Sequence, residues 1–282
     1  MIALPIFGAL LESLGIIIEK KILKFKGVNY KNYTIYGFLA IVLSMLPFIF
    51  FVWRVDKEAL LIKNLLIFFS VIILSVFANL LIFYALQKEK ITEFEPAWLM
   101  QPLFTILLAF IIYSEERNFR IILLALIASS TLVITHIKKK HLNFEKPFLA
   151  VILGSFFFAL ELVISKYILP YYSPFAFYFL RCFFIFLIAA LLFKNSLSLK
   201  GIDKKAGIYA IILGLMWASY RAIIYYGYEQ VGIVFTTLLF ILSPVFLFVF
   251  AIVLFKERPT LKQTISIFII LCCVILAIIK KN

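Results

Sequence analysis

The chain reads as an all-α integral membrane protein, with ten transmembrane helices in two inverted five-helix repeats. Three observations lead there. Of 282 residues 65% are apolar and only 15% charged, with mean hydropathy +1.11, so a water-soluble core-and-surface division has too little polar material. Apolar runs of spanning length are separated by short Lys-rich connections, and the second half of the chain repeats the first.

Taken in order, the apolar runs predict spans near 2–19, 34–53, 65–87, 96–114, 121–137, 148–169, 174–193, 208–228, 231–254 and 263–279. The first stretch lacks a basic n-region and an A-x-A cleavage site and carries Glu12 within its apolar run, so it reads as a retained span. Barrel strands are excluded, because the runs are continuous where a barrel strand would alternate polar and apolar residues. A spanning helix takes about 20 residues, so ten of them leave no length for a soluble catalytic domain.

The formal net charge of +14 lies in the connections, such as KFKGVNYK and KKKHLNFEK, where it holds helix ends at anionic headgroups. No basic stripe is interleaved with stacking aromatics, so nucleic acid is not an expected partner. Lys and Arg number 18 on the side holding loops 20–31 and 138–146, against 7 on the side where the first span begins. By the positive-inside rule both termini would then lie outside. Cys182, Cys272 and Cys273 fall in apolar runs with no CxxC or Cys/His spacing and predict neither disulfide nor zinc site.

A shift of 142 residues superposes Tyr84 on Tyr226, Ile91 on Ile233, Pro102 on Pro244, Phe104 on Phe246, Ala109 on Ala251 and Glu115 on Glu257 without a gap. A shift of 146 places Gly8 on Gly154 and Lys20 on Lys166. The repeats are expected at 1–140 and 147–282. Five spans per copy is an odd number, so the second copy enters the bilayer in the opposite direction. Inverted repeats supply two nearly equivalent packings with a site near the midplane between them, which points to transport by alternating access.

Ser173-Pro174 followed by Arg181, the Lys20 and Lys166 pair, and the two segments Pro102 to Glu115 and Pro244 to Glu257 together resemble the EamA family of the drug/metabolite transporter superfamily. The resemblance covers essentially the whole chain and implies a ten-helix carrier with both termini in the cytoplasm, opposite to the charge count. The first repeat departs from the pattern, having no Pro or Arg at the counterparts of Pro174 and Arg181.

Ionisable groups deep in hydrocarbon must be paired or face water, which makes Glu12, Glu161, Arg181 and Arg221 the candidates for substrate binding. Gly8, Glu12, Gly15 and Glu19 share one face of the first span. Arg221 occupies the repeat position of Asn79, and each arginine can grip an anionic group or neutralise a buried acid. The opposing expectation is that two acids and two bases pair into a neutral structural core. Trp217 and Tyr178, at helical spacing from the arginines, would supply aromatic walls.

Pro102 and Pro244 should kink the fourth and ninth spans as hinges. Glu115 and Glu257, beside Arg117 and Arg258, should form interfacial ion pairs or gate latches. His136 and His141 have no partner at ligand spacing, and the only two Asp, Asp56 and Asp203, lie in loops, so neither a metal nor an enzyme is expected. No cofactor is implied. The expected activity is secondary transport of small polar metabolites, amino acids or organic cations across the cell membrane, with a proton or other ion as coupling partner. Alternatives are a lipid-linked carrier flippase and a non-transporting membrane scaffold.

Overall fold

In the computed structural model the described residues are 3–88, 94, 97–136, 146–197, 203–246 and 261–281. They form helices α1 (Ala3–Ile22), α2 (Tyr30–Val52), α3 (Ile62–Lys88), α4 (Met100–Ile112) and α5 (Phe119–His136) in the first half. The second half holds α6 (Lys146–Ser165), α7 (Pro174–Leu192), α8 (Lys204–Val231), α9 (Ile233–Phe240) and α10 (Leu261–Lys281). No strand occurs among the described residues beyond one isolated bridge between Val55 and Tyr172. Five of the helices, α2, α3, α6, α7 and α8, are both long and apolar enough to cross a bilayer by that measure alone.

Local chemistry sets the helix starts. Asn29 caps α2 by accepting from Lys31 and Asn32 backbone N–H groups, while the Asn32 side chain accepts from the Asn29 N–H, a reciprocal capping box. Ser173 caps α7 with Pro174 in its first turn, where the missing N–H costs nothing, and Asp203 caps α8 through the Lys205 N–H. Helix α3 begins three residues, and α8 four residues, before their apolar runs, because the basic residues Lys63, Lys204 and Lys205 belong to their first turns.

Most of the packing crosses between the repeats, and these contacts come in equivalent pairs. Helix α3 lies on α6 as α8 lies on α1, and α4 lies on α6 as α9 lies on α1. Helices α2 with α7, α4 with α9, and α5 with α10 meet their own counterparts. The paired glycines explain how closely the first of these crossings come. A methyl on Gly154 would stand 2.8 Å from Ile82 Cδ1 and 3.3 Å from the Ala78 carbonyl oxygen, whereas one on Gly8 would meet the Phe240 ring at 2.6 Å and Ile223 at 3.3 Å. Small residues thus let backbones approach where lipid supplies no hydrophobic drive for helix association.

The two spans that carry Pro102 and Pro244 are both interrupted. The helical hydrogen-bond ladder breaks to a turn at Leu99 and at Ile241, three residues before Pro102 and Pro244, and these two positions are themselves related by the 142-residue shift. Proline has no N–H to offer the carbonyl four positions back, so Trp98 and Phe240 lose that donor and the ladder breaks at the residue that follows each. Around the bundle, Phe50, Phe51, Phe119 and Phe268 are more than two-thirds exposed, whereas Glu161 and Arg181 are buried. That inversion of the water-soluble pattern suits a lipid surround with a polar interior.

Candidate functional site

Call side A the side where α1 begins and side B the side where it ends. A cavity lies between the repeats. It runs from Phe158, Tyr178 and Arg181 near the middle of the bundle toward side B, where Glu19, Tyr33 and Leu86 line it. Six of the seven residues expected to bind substrate line this one cavity: Glu12, Asn79, Tyr178, Arg181, Trp217 and Arg221. The seventh, Glu161, is fully buried and acts on the cavity through the arginines.

The charges divide unequally. Glu161 Oε1 stands 3.0 Å from Arg181 Nε, and its Oε2 stands 3.8 Å from Arg221 Nη1, so one carboxylate serves two guanidinium groups. Ser165 lies one turn on, its hydroxyl 3.4 Å from Glu161 Oε1, and the Tyr225 hydroxyl donates to the same oxygen at 3.3 Å. Arg181 Nε also donates to Ser75 Oγ at 2.9 Å, and Asn79 Nδ2 donates to the Ser75 carbonyl at 2.7 Å, so α3 orients α7 from behind. Arg181 Nη2 and Arg221 Nη1 are buried without a hydrogen-bond partner. Arg221 sits 5.1 Å from the Phe158 ring and Arg181 5.6 Å from the Tyr178 ring, cation–π distances that hold each head in place.

Glu12 is outside that cluster. It is buried with the hydroxyls of Tyr220 and Ser243 in hydrogen-bond reach, and Glu19 accepts from Tyr33 at 2.8 Å. No described Lys or Arg forms a salt bridge with either acid. The expected pairing of two acids with two bases is therefore replaced by one acid between two bases, with Glu12 left to the cavity. Trp217 packs over Gly15, 3.3 Å from where a methyl would stand, and edge-on against Tyr220, rather than over Arg221.

A second cavity lies across α1 from the first and shares Glu12, Ile16, Phe94, Trp98 and Tyr220 with it. Leu99, Gln101, Pro102, Ile241, Ser243 and Pro244 line it, so the breaks before Pro102 and Pro244 flank the wall that holds Glu12.

Side A is closed. Glu116 Oε1 takes Lys166 Nζ at 2.6 Å, and its two oxygens accept from the N–H groups of Ile233 and Val234 at 2.6 and 3.1 Å, at the positive end of α9. Glu115, the residue expected here, is more peripheral, 60% exposed and 3.5 Å from Lys166. The expected pairing of Glu115 with Arg117 is not formed, because Arg117 turns back to donate to the Phe110 and Ile111 carbonyls that end α4. Glu257 lies outside the described residues. A strap completes the closure: Arg54 Nη2 donates to the Pro170 and Tyr172 carbonyls, and Ser173 N–H to the Arg54 carbonyl.

Gly232 makes the latch possible. Its φ is +90°, and a methyl there would stand 2.9 Å from both Glu116 oxygens. Gly232→Ala should lower thermal stability by about 1–3 kcal/mol, and combined with Glu116→Gln the losses should be less than additive. Full additivity in paired unfolding curves would place the two groups in separate structures.

Glu19, Tyr33, Trp98, Phe158 and Tyr220 line the cavity, and Ser75 and Glu116 support its surroundings, yet the spans did not single them out for those roles. Glu19 shares the helical face of Glu12, which was the available signal; its place near a basic helix end masked it. Glu116 differs from Glu115 by one helical step, which spacing alone does not resolve.

The EamA-like transporter family model matches residues 1–136 and again 146–279. The chain belongs to this family. EamA members are membrane transporters, and this EamA chain is a multi-pass membrane protein with the two-repeat architecture. A solved crystal structure has the same fold at a TM-score of 0.74 with 14% identity, covering 99% of this chain and 97% of that one. No curated relative matches the sequence.

Proposed function

We propose that this EamA chain carries small zwitterionic solutes of the amino-acid kind across the cell membrane by alternating access. The observation that supports this most is the presence, in one cavity, of the Glu12 carboxylate on α1 and the Arg221 guanidinium on α8, which reaches Glu161 only at 3.8 Å and makes no hydrogen bond through Nη1. A carboxylate holds an ammonium group and a planar guanidinium holds a carboxylate through two parallel bonds, so the pair matches both ends of a zwitterion. Phe158, Trp98 and Trp217 offer apolar surface for the remainder of the solute.

The cavity reaches toward side B while Glu116, Lys166 and the strap seal side A, which corresponds to one end state of a rocking cycle. Exchange of states would require the side-A contacts to part while equivalent surfaces meet on side B, with the breaks at Leu99 and Ile241 absorbing the bend. The sequence has no nucleotide-binding Gly-rich loop, so a gradient supplies the energy, and Glu12 is the group placed to take a proton in place of a solute ammonium.

Counterflow in proteoliposomes tests the reading. Vesicles loaded with a mixture of unlabelled amino acids should accumulate labelled amino acid transiently above its equilibrium level. Accumulation no greater than in protein-free vesicles, for neutral and charged amino acids alike, would sink it.

A further inference from the structure

Glu19 plays no part in holding a zwitterion at Glu12 and Arg221, yet it is buried in the same cavity wall. Seven residues separate it from Glu12, which is two helical turns, so both carboxylates leave α1 on one face about 10 Å apart along the axis. Burying a second carboxylate in a bilayer-spanning bundle is costly, and no described Lys or Arg forms a salt bridge with it. Its hydrogen-bond donor is the neutral Tyr33 hydroxyl at 2.8 Å. The neighbouring Lys20 directs its ammonium elsewhere, to the Leu86 carbonyl.

On the face of α1 that lines the cavity, Glu12 answers the ammonium of a zwitterion, while Glu19, two turns on and held by a neutral hydroxyl, is left for a second cation at the far end of the solute. We propose that the substrate is a basic amino acid, a solute with one carboxylate and two ammonium or amidinium-type cations at opposite ends of an unbranched chain. This assignment rests on the zwitterion reading above.

The carboxylate lies against the Arg221 guanidinium where it borders the cavity, and the α-ammonium against Glu12. The distal cation lies against Glu19. The dimensions agree: six staggered bonds of about 1.5 Å place the two nitrogens of an extended lysine about 7 Å apart. Adding part of a charge-assisted hydrogen bond of about 2.8 Å at each end brings the span to the separation of the two acids. Between them the chain runs past Tyr33, Phe38 and Phe83, surfaces suited to methylenes and to a cation at the far end.

The test measures binding by thermal shift and counterflow on the full chain, with L-lysine, L-norleucine and 1,5-diaminopentane as probes. Norleucine lacks the distal ammonium and the diamine lacks the carboxylate. The expected result is at least tenfold tighter binding of lysine than of either probe, and a Glu19→Gln variant in which the lysine-to-norleucine ratio collapses toward one. Lysine and norleucine bound and exchanged equally by the unaltered protein would overturn this assignment while sparing the zwitterion reading. Equal binding of lysine and the diamine would also overturn it, by removing the carboxylate contact. No exchange of any amino acid would overturn both. The comparison in the unaltered protein keeps the test valid if Glu19→Gln fails to fold.

Discussion

Glu161→Leu should cost about 3–5 kcal/mol of stability, the usual penalty for removing one member of a buried ion pair, because it strands two guanidinium groups in an apolar interior. The geometry sets the size: Glu161 is 0% exposed, Arg181 1% and Arg221 8%, and the Glu161 carboxylate faces both. Combining Glu161→Leu with Arg181→Met should restore much of the loss, since the remaining Arg221 borders the cavity and can be hydrated there. Unfolding in detergent, followed by tryptophan fluorescence, measures both. A single variant within about 1 kcal/mol of the parent would mean that water already reaches the cluster, because exposed pairs contribute no more than that.

The second large effect falls on transport. Glu12→Gln keeps the shape of the side chain and its reach to the Tyr220 and Ser243 hydroxyls but removes its charge, so the fold should persist. Losing a charge-assisted hydrogen bond to an ammonium costs about 1.5–3 kcal/mol, which is roughly a 10- to 150-fold loss of solute affinity. Because the same carboxylate is the proposed proton carrier, an imposed pH gradient should no longer accelerate accumulation. Undiminished gradient-driven uptake in this variant would remove Glu12 from both roles.

Much of the architecture was legible because the bilayer imposes a length and a composition on each span, and because proline, glycine and glutamate recur at fixed offsets in an apolar background. The 142-residue shift foretold even the equivalence of the breaks at Leu99 and Ile241, although their offset from Pro102 and Pro244 required coordinates. The deep charges were identifiable one by one, since each is expensive where it stands.

Their partnership was not. Which acid takes which base depends on how α6, α7 and α8 are rotated about their axes, a quantity that apolar runs leave free when every face is hydrophobic. Glu161 claims both arginines because Arg181 of α7 and Arg221 of α8 come together on it, while Glu12 on α1 meets hydroxyls instead. The side-A latch shows the same limit at finer scale: a helix ending at Ile112 and a tight turn over Ser114–Glu116 turn Glu116 inward and Glu115 outward, and no periodic pattern survives such a turn.

The interleaving of the two halves bears on how the protein is made. As the first five helices leave the ribosome, Glu12 has not yet met Tyr220 or Ser243, Ser75 waits for Arg181, and Glu116 waits for Lys166 and the start of α9. The early segment is thus inserted with its polar groups unanswered, and must be sheltered by the insertion machinery until the late segment arrives. Severed at the join, the two pieces should accumulate only when synthesised together.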